Sequence, residues 1–155
     1  MNLDSLFNAC NFGILPFWAL LVLAPRARLT ALLVHHPVVP AVLGVVYGVL
    51  LFTGGEPPAD ANMGSLPGVS ALFSVPRILT AGWIHYLIFD LFIGAWETRD
   101  AVRRGIPHWQ VVPCLVLTLM LGPLGLLVYL GLRFARARVL GFEEGPALAR
   151  STTNA

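Results

Sequence analysis

The chain has 155 residues, 57% hydrophobic and 12% charged, with a mean hydropathy of +0.77 and a formal net charge of +2. A water-facing domain carries about 25% charged residues, so an ordinary soluble domain is excluded and one compact integral membrane unit is expected. The nearly balanced charge excludes a nucleic-acid footprint, and Cys10 and Cys114 form no CxxC redox motif.

Four apolar segments follow in chain order, at residues 6–23, 29–52, 78–96 and 111–132. Each approaches the ~20 residues that cross ~30 Å of hydrocarbon as a helix. Backbone groups cannot stay unpaired in lipid, so helices are required. The predicted fold class is therefore all-α, an integral membrane bundle of four transmembrane helices. Residues 1–133 form the four-helix domain, and residues 134–155 form a tail expected to be disordered at its end.

The first segment follows "MNLDSLFNAC", where Asp4 replaces the basic residue of a secretory signal. The first span is expected to be retained, in a multi-pass protein of a bacterial cytoplasmic membrane. Arg26 and Arg28 follow it, which favours both termini outside, whereas "RFARAR" in the tail argues the opposite. In the second segment, "VHHPVVP" places His35 and His36 about six residues inside the start, and Pro37 predicts a local helix break.

The third segment contains "WIHYLIFDLFIGAWETRD", residues 83–100. A helix advances about 100° per residue. With His85 at zero, Tyr86, Glu97, Asp90 and Trp83 fall between about 100° and 160°. Leu87, Leu91, Ile84, Ala95, Ile88 and Phe92 form the other arc, read as a stripe facing lipid. A carboxylate in mid-membrane costs about 2.5–3.5 kcal/mol on insertion scales. Asp90 is therefore expected to face protein or trapped water. One reading is a polar network that merely locks the bundle; the other is a reaction site.

Depth counting places His35, His36, Asp90, Glu97, Asp100 and His108 near one membrane surface. Imidazole beside carboxylate suits zinc or iron, which makes His35, His36, Asp100 and His108 candidate metal ligands, although no ExxH spacing supports the set. Metal-free proton transfer is the competing chemistry, with Asp90 as principal group and His85 and Glu97 supporting it. Trp83, Tyr86, Phe89, Phe92 and Trp96 are candidate substrate-binding aromatics. In the fourth segment Pro113 and Pro123 predict kinks, while Gly122, Gly125 and Thr118 permit close backbone approach. The sequence identifies no cofactor.

The stretches "WIHYLIFDLFIGAWETRD", "RRGIPHW" and "PCLVLTLMLGPLGLLVY" resemble the abscisic-acid-deficient-four family of integral membrane proteins. The resemblance covers about a third of the chain, in the third and fourth segments. It implies a four-helix membrane protein. Plant members are required to form neoxanthin from violaxanthin in plastid membranes. That conversion is an isomerisation: an epoxide oxygen gains a proton, a proton leaves the polyene, and an allene forms. It needs a proton donor and an acceptor and no redox cofactor.

The expected function is thus a membrane protein of carotenoid metabolism, with a carotenoid epoxide isomerase-like activity. The expected partners are membrane lipid and a carotenoid or other polyene, and the bundle is compatible with oligomerisation. The alternatives are a non-enzymatic carotenoid- or lipid-binding scaffold and, third, a small proton or ion carrier.

Overall fold

The structure is a computed structural model that describes residues 2–53, 55–139 and 141. It is helical throughout, with no strand among the described residues. Asn2 starts the first helix by accepting a hydrogen bond from the Ser5 amide at 2.7 Å. Helices α1 (Leu3–Gly13) and α2 (Leu15–Leu23) meet at Ile14, which keeps right-handed helical dihedrals. They run on as one apolar stretch of 21 residues.

Helices α3 (Arg28–Leu33) and α4 (Val38–Phe52) are separated by Val34, His35, His36 and Pro37, the break predicted from Pro37. Together they span 25 residues. Helix α5 (Leu66–Phe73) is short and is capped by Ser65, whose hydroxyl accepts from the Gly68 amide. Helix α6 (Pro76–Arg103) has 28 residues. Three stretches are therefore long and apolar enough to cross a membrane: Leu3–Leu23, Arg28–Phe52 and Pro76–Arg103.

The fourth predicted span is divided. Helix α7 (His108–Leu121) and helix α8 (Pro123–Ala137) meet at Gly122, whose φ of 42° and ψ of −96° reverse the chain. Such a φ favours glycine, because a side chain would be strained there. The two helices then pack side by side. At Gly125 the arms come so close that an added Cβ would lie 2.1 Å from the Thr118 amide nitrogen. The close approach expected at Thr118 and Gly125 is present, but it joins the two halves of one predicted span to each other. Pro113 sits inside α7, and Pro123 opens α8, where its missing N–H leaves no hydrogen bond unmade. Helix α8 continues to Ala137, and the disorder expected at the end of the tail lies outside the described residues.

Helix α6 is the centre of the bundle, touched by α1, α2, α4, α5, α7 and α8. This corrects the lipid stripe expected for it. Ile84, Leu87, Leu91 and Ala95 are buried in the core, and Trp18 lies over Gly94. The arc that faces outward carries His85 and Phe89 together with Phe92 of the expected stripe. Hydropathy could not separate these arcs, because an apolar side chain suits a protein core and a lipid tail equally.

Candidate functional site

The α7–α8 turn sits against the middle of α6. Asp90 lies 14 residues after Pro76 and 13 before Arg103, at the midpoint of the helix. Its Oδ1 approaches Gly122 so closely that a Cβ there would be 2.8 Å away. Asp90 is only 9% exposed, and its Oδ2 has no hydrogen-bond partner among the described residues. One turn earlier on the same face, Tyr86 donates its hydroxyl to the Leu119 carbonyl at 3.1 Å.

Glu97 is fully buried two turns beyond Asp90. Its Oε1 accepts from the Thr118 hydroxyl at 3.0 Å, while Oε2 is unpartnered among the described residues. Thr118 and Gly122 are joined by a backbone hydrogen bond of 2.9 Å. Asp90 and Glu97, two of the three carboxyls of α6, thus address the last turn of α7. A buried acceptor without a partner costs about 1–3 kcal/mol, and native proteins keep few of them. Two such oxygens beside one helix turn form the strongest candidate site in the described chain.

An apolar cavity of about 270 Å³ lies beside Tyr86, lined by Asn11, Ile14, Trp83, Tyr86, Leu119 and Met120, among others. Trp83 also lines a second cavity of about 320 Å³ with Asp4, Phe7 and Thr80. Its indole Nε1 donates to the Asn11 Oδ1 at 3.1 Å, and its ring stacks between Phe7 and Tyr86 at 5.6 and 5.2 Å. Trp83 and Tyr86 therefore line this cavity together. The other predicted aromatics lie elsewhere. Phe89 and Phe92 are about half exposed on the outward arc. Trp96 packs edge-on against Tyr129 at 5.4 Å.

His85 also lies apart from the two carboxyls. It is exposed on the outward arc, with its ring between those of Tyr47 and Phe89. The shared vestibule expected for the metal candidates is not formed. His35 accepts from Arg99 at 3.1 Å, His108 Nε2 bonds the Val22 carbonyl at 2.8 Å, and His36 is exposed. Among the described residues, no three His, Cys, Asp or Glu side chains gather as a metal-binding group. Depth counting placed them at one level but carried no information on which helix face each one used.

Asp100 belongs to a second network. It accepts from the Tyr129 hydroxyl and from Arg133 Nε, both at 2.8 Å, and from Arg104 Nε at 2.9 Å. Arg133 and Tyr129 are fully buried, and the guanidinium lies 5.7 Å from the Trp96 ring. This cluster ties the end of α8 to the end of α6. Neither Tyr129 nor Arg133 was singled out from sequence. Their spacing of four residues, which places both on one face of α8, was the available signal.

A family model described as ABA DEFICIENT 4-like matches residues 5–129. The chain belongs to this family. The match runs from α1 to Tyr129 and so includes Asp90, Glu97, Thr118 and Gly122. The chain is also 32% identical over 110 residues to Protein ABA DEFICIENT 4, chloroplastic, from Arabidopsis thaliana. That alignment covers 66% of this chain and 50% of the relative, so the chain spans about half the length of that curated protein. No solved structure matches. The family match accompanies three helical stretches long and apolar enough to cross a membrane.

Proposed function

We propose that this ABA DEFICIENT 4-like protein isomerises a xanthophyll epoxide by proton transfer within a bacterial cytoplasmic membrane. Asp90 is the principal acid–base group. One observation carries the reading: Asp90 presents an unpartnered buried oxygen beside the glycine turn at Gly122. The apolar cavity between α1–α2, α6 and α7 reaches Tyr86 from the side. The family link to carotenoids supports a polyene as the ligand.

In this reading a neutral Asp90 gives its proton to the epoxide oxygen as the C–O bond opens. A carboxylate then takes a proton from the carbon chain, and an allene and a hydroxyl result. No electrons leave the substrate. Glu97 is the second carboxyl able to hold a proton nearby, and Tyr86 orients the tip through Leu119. His85 has no part in this proposal, because it stands on the outward arc.

The test is expression in a host that accumulates a violaxanthin-type epoxide, with pigments resolved by chromatography. The allenic isomer should appear with the native chain and fall at least tenfold with Asp90→Asn at equal protein level in the membrane. An unchanged pigment profile in the Asn variant would sink the assignment. A second reading, a pigment-binding scaffold, is favoured by the apolar cavity of about 310 Å³ between α1–α2 and α4, lined by Cys10, Phe17, Val42 and Val46, among others. A stoichiometric polyene spectrum after purification, with no turnover, selects that reading.

A further inference from the structure

The reversal at Gly122 changes how the chain meets the bilayer. Helices α7 and α8 have 14 and 15 residues. At ~1.5 Å per residue each is about 21–23 Å long, short of the ~30 Å hydrocarbon thickness. The tip at Gly122 touches Asp90, which is the midpoint of α6. The far ends of the hairpin return to the C-terminal end of α6. There Arg133 pairs with Asp100, and His108 meets the Val22 carbonyl at the end of α2.

The charges divide the same way. At this end lie Arg26, Arg28, Arg99, Arg103, Arg104, Arg133, Arg136 and Arg138, with Asp100 paired among them. The opposite end holds Asp4, Glu56 and Asp60, with Arg77 bonded to the Thr53 carbonyl at the end of α4. Arg26, Arg28, Arg103, Arg136 and Arg138 are exposed. Basic residues beside short loops set orientation toward the cytoplasm, and exposed arginines attract anionic headgroups.

We propose that the arginine-rich end seats on the anionic cytoplasmic leaflet and that α7 and α8 form a re-entrant hairpin, entering and leaving through that leaflet. The chain then crosses the bilayer three times. Leu3 and Arg138 lie on opposite sides, and the hairpin brings its glycine turn to mid-membrane against Asp90. The conflict between the "RFARAR" run and the first loop disappears, because both face the same side. This arrangement stands independently of the proposed isomerase activity.

Impermeant maleimide labelling of sealed vesicles of both orientations tests it. The native cysteines are first replaced, as Cys10→Ala and Cys114→Ala. Single cysteines are then introduced as Ala27→Cys, Ala59→Cys and Ala135→Cys, which leave every arginine in place. The expected result is labelling of positions 27 and 135 from the cytoplasmic side and of position 59 from the other. Labelling of position 135 from the same side as position 59 would establish four crossings and overturn the hairpin. Labelling of position 59 from the cytoplasm would overturn the orientation. Should a cysteine variant fail to accumulate, a topology reporter fused after Arg138 in the native chain gives the same reading.

Discussion

Gly125→Ala is the sharpest perturbation of the hairpin. The added Cβ would sit 2.1 Å from the Thr118 nitrogen, 2.2 Å from its Oγ1 and 2.5 Å from its Cα. Two of these atoms are backbone and cannot swing aside. Ordinary contact begins near 3.4 Å, so the arms must separate by about 1.3 Å, whereas close backbone approach through small residues is what holds such helices together. Overpacking of this kind costs about 1–3 kcal/mol. The separation also draws Thr118 from Glu97, and a buried acceptor left unpaired adds about 1–3 kcal/mol. Alanine returns about 1 kcal/mol of helix propensity, leaving a net loss of about 1–5 kcal/mol. The assay is thermal unfolding in mild detergent beside Gly131→Ala, where the same helix offers open space for a Cβ. The Gly131 variant should match or exceed the native chain. Equal stability of the two variants would refute the close-packed hairpin.

Three further outcomes follow from the buried contacts. Arg133→Met should lose about 1.5–3 kcal/mol in the same melting assay, because Asp100, buried at 1% exposure, loses one charge-assisted hydrogen bond while Tyr129 and Arg104 still reach it. Thr118→Val keeps the side-chain shape but removes the hydrogen bond to Glu97; denaturation should report a loss of about 1–3 kcal/mol, with the protein still folded by circular dichroism. Gly94→Val should destabilise by about 1–3 kcal/mol, because even a Cβ would lie 2.7 Å from the Trp18 ring; tryptophan fluorescence should shift as Trp18 is displaced.

The sequence by itself determined that the protein is helical and suited to a membrane, since unpaired backbone is too costly in lipid and charge is scarce. It also marked Asp90 and Glu97 as residues requiring an inward face, the break at Pro37, and the close approach at Thr118 and Gly125. What it did not contain was partnership. Residues 111–132 have the length of one span, and hydropathy carries no sign of the reversal, which depends on a single dihedral pair at Gly122. The apolar arc of α6 read as lipid-facing because lipid tails and the neighbouring helices present the same apolar environment. The depths of His35, His108 and Asp100 were countable along each helix. Which side chain met Arg99, Val22 or Arg133 depended on helix rotation and on the fold-back of α8. Only the tertiary structure placed a glycine turn against Asp90, because that contact joins residues 32 positions apart through packing that no local periodicity encodes.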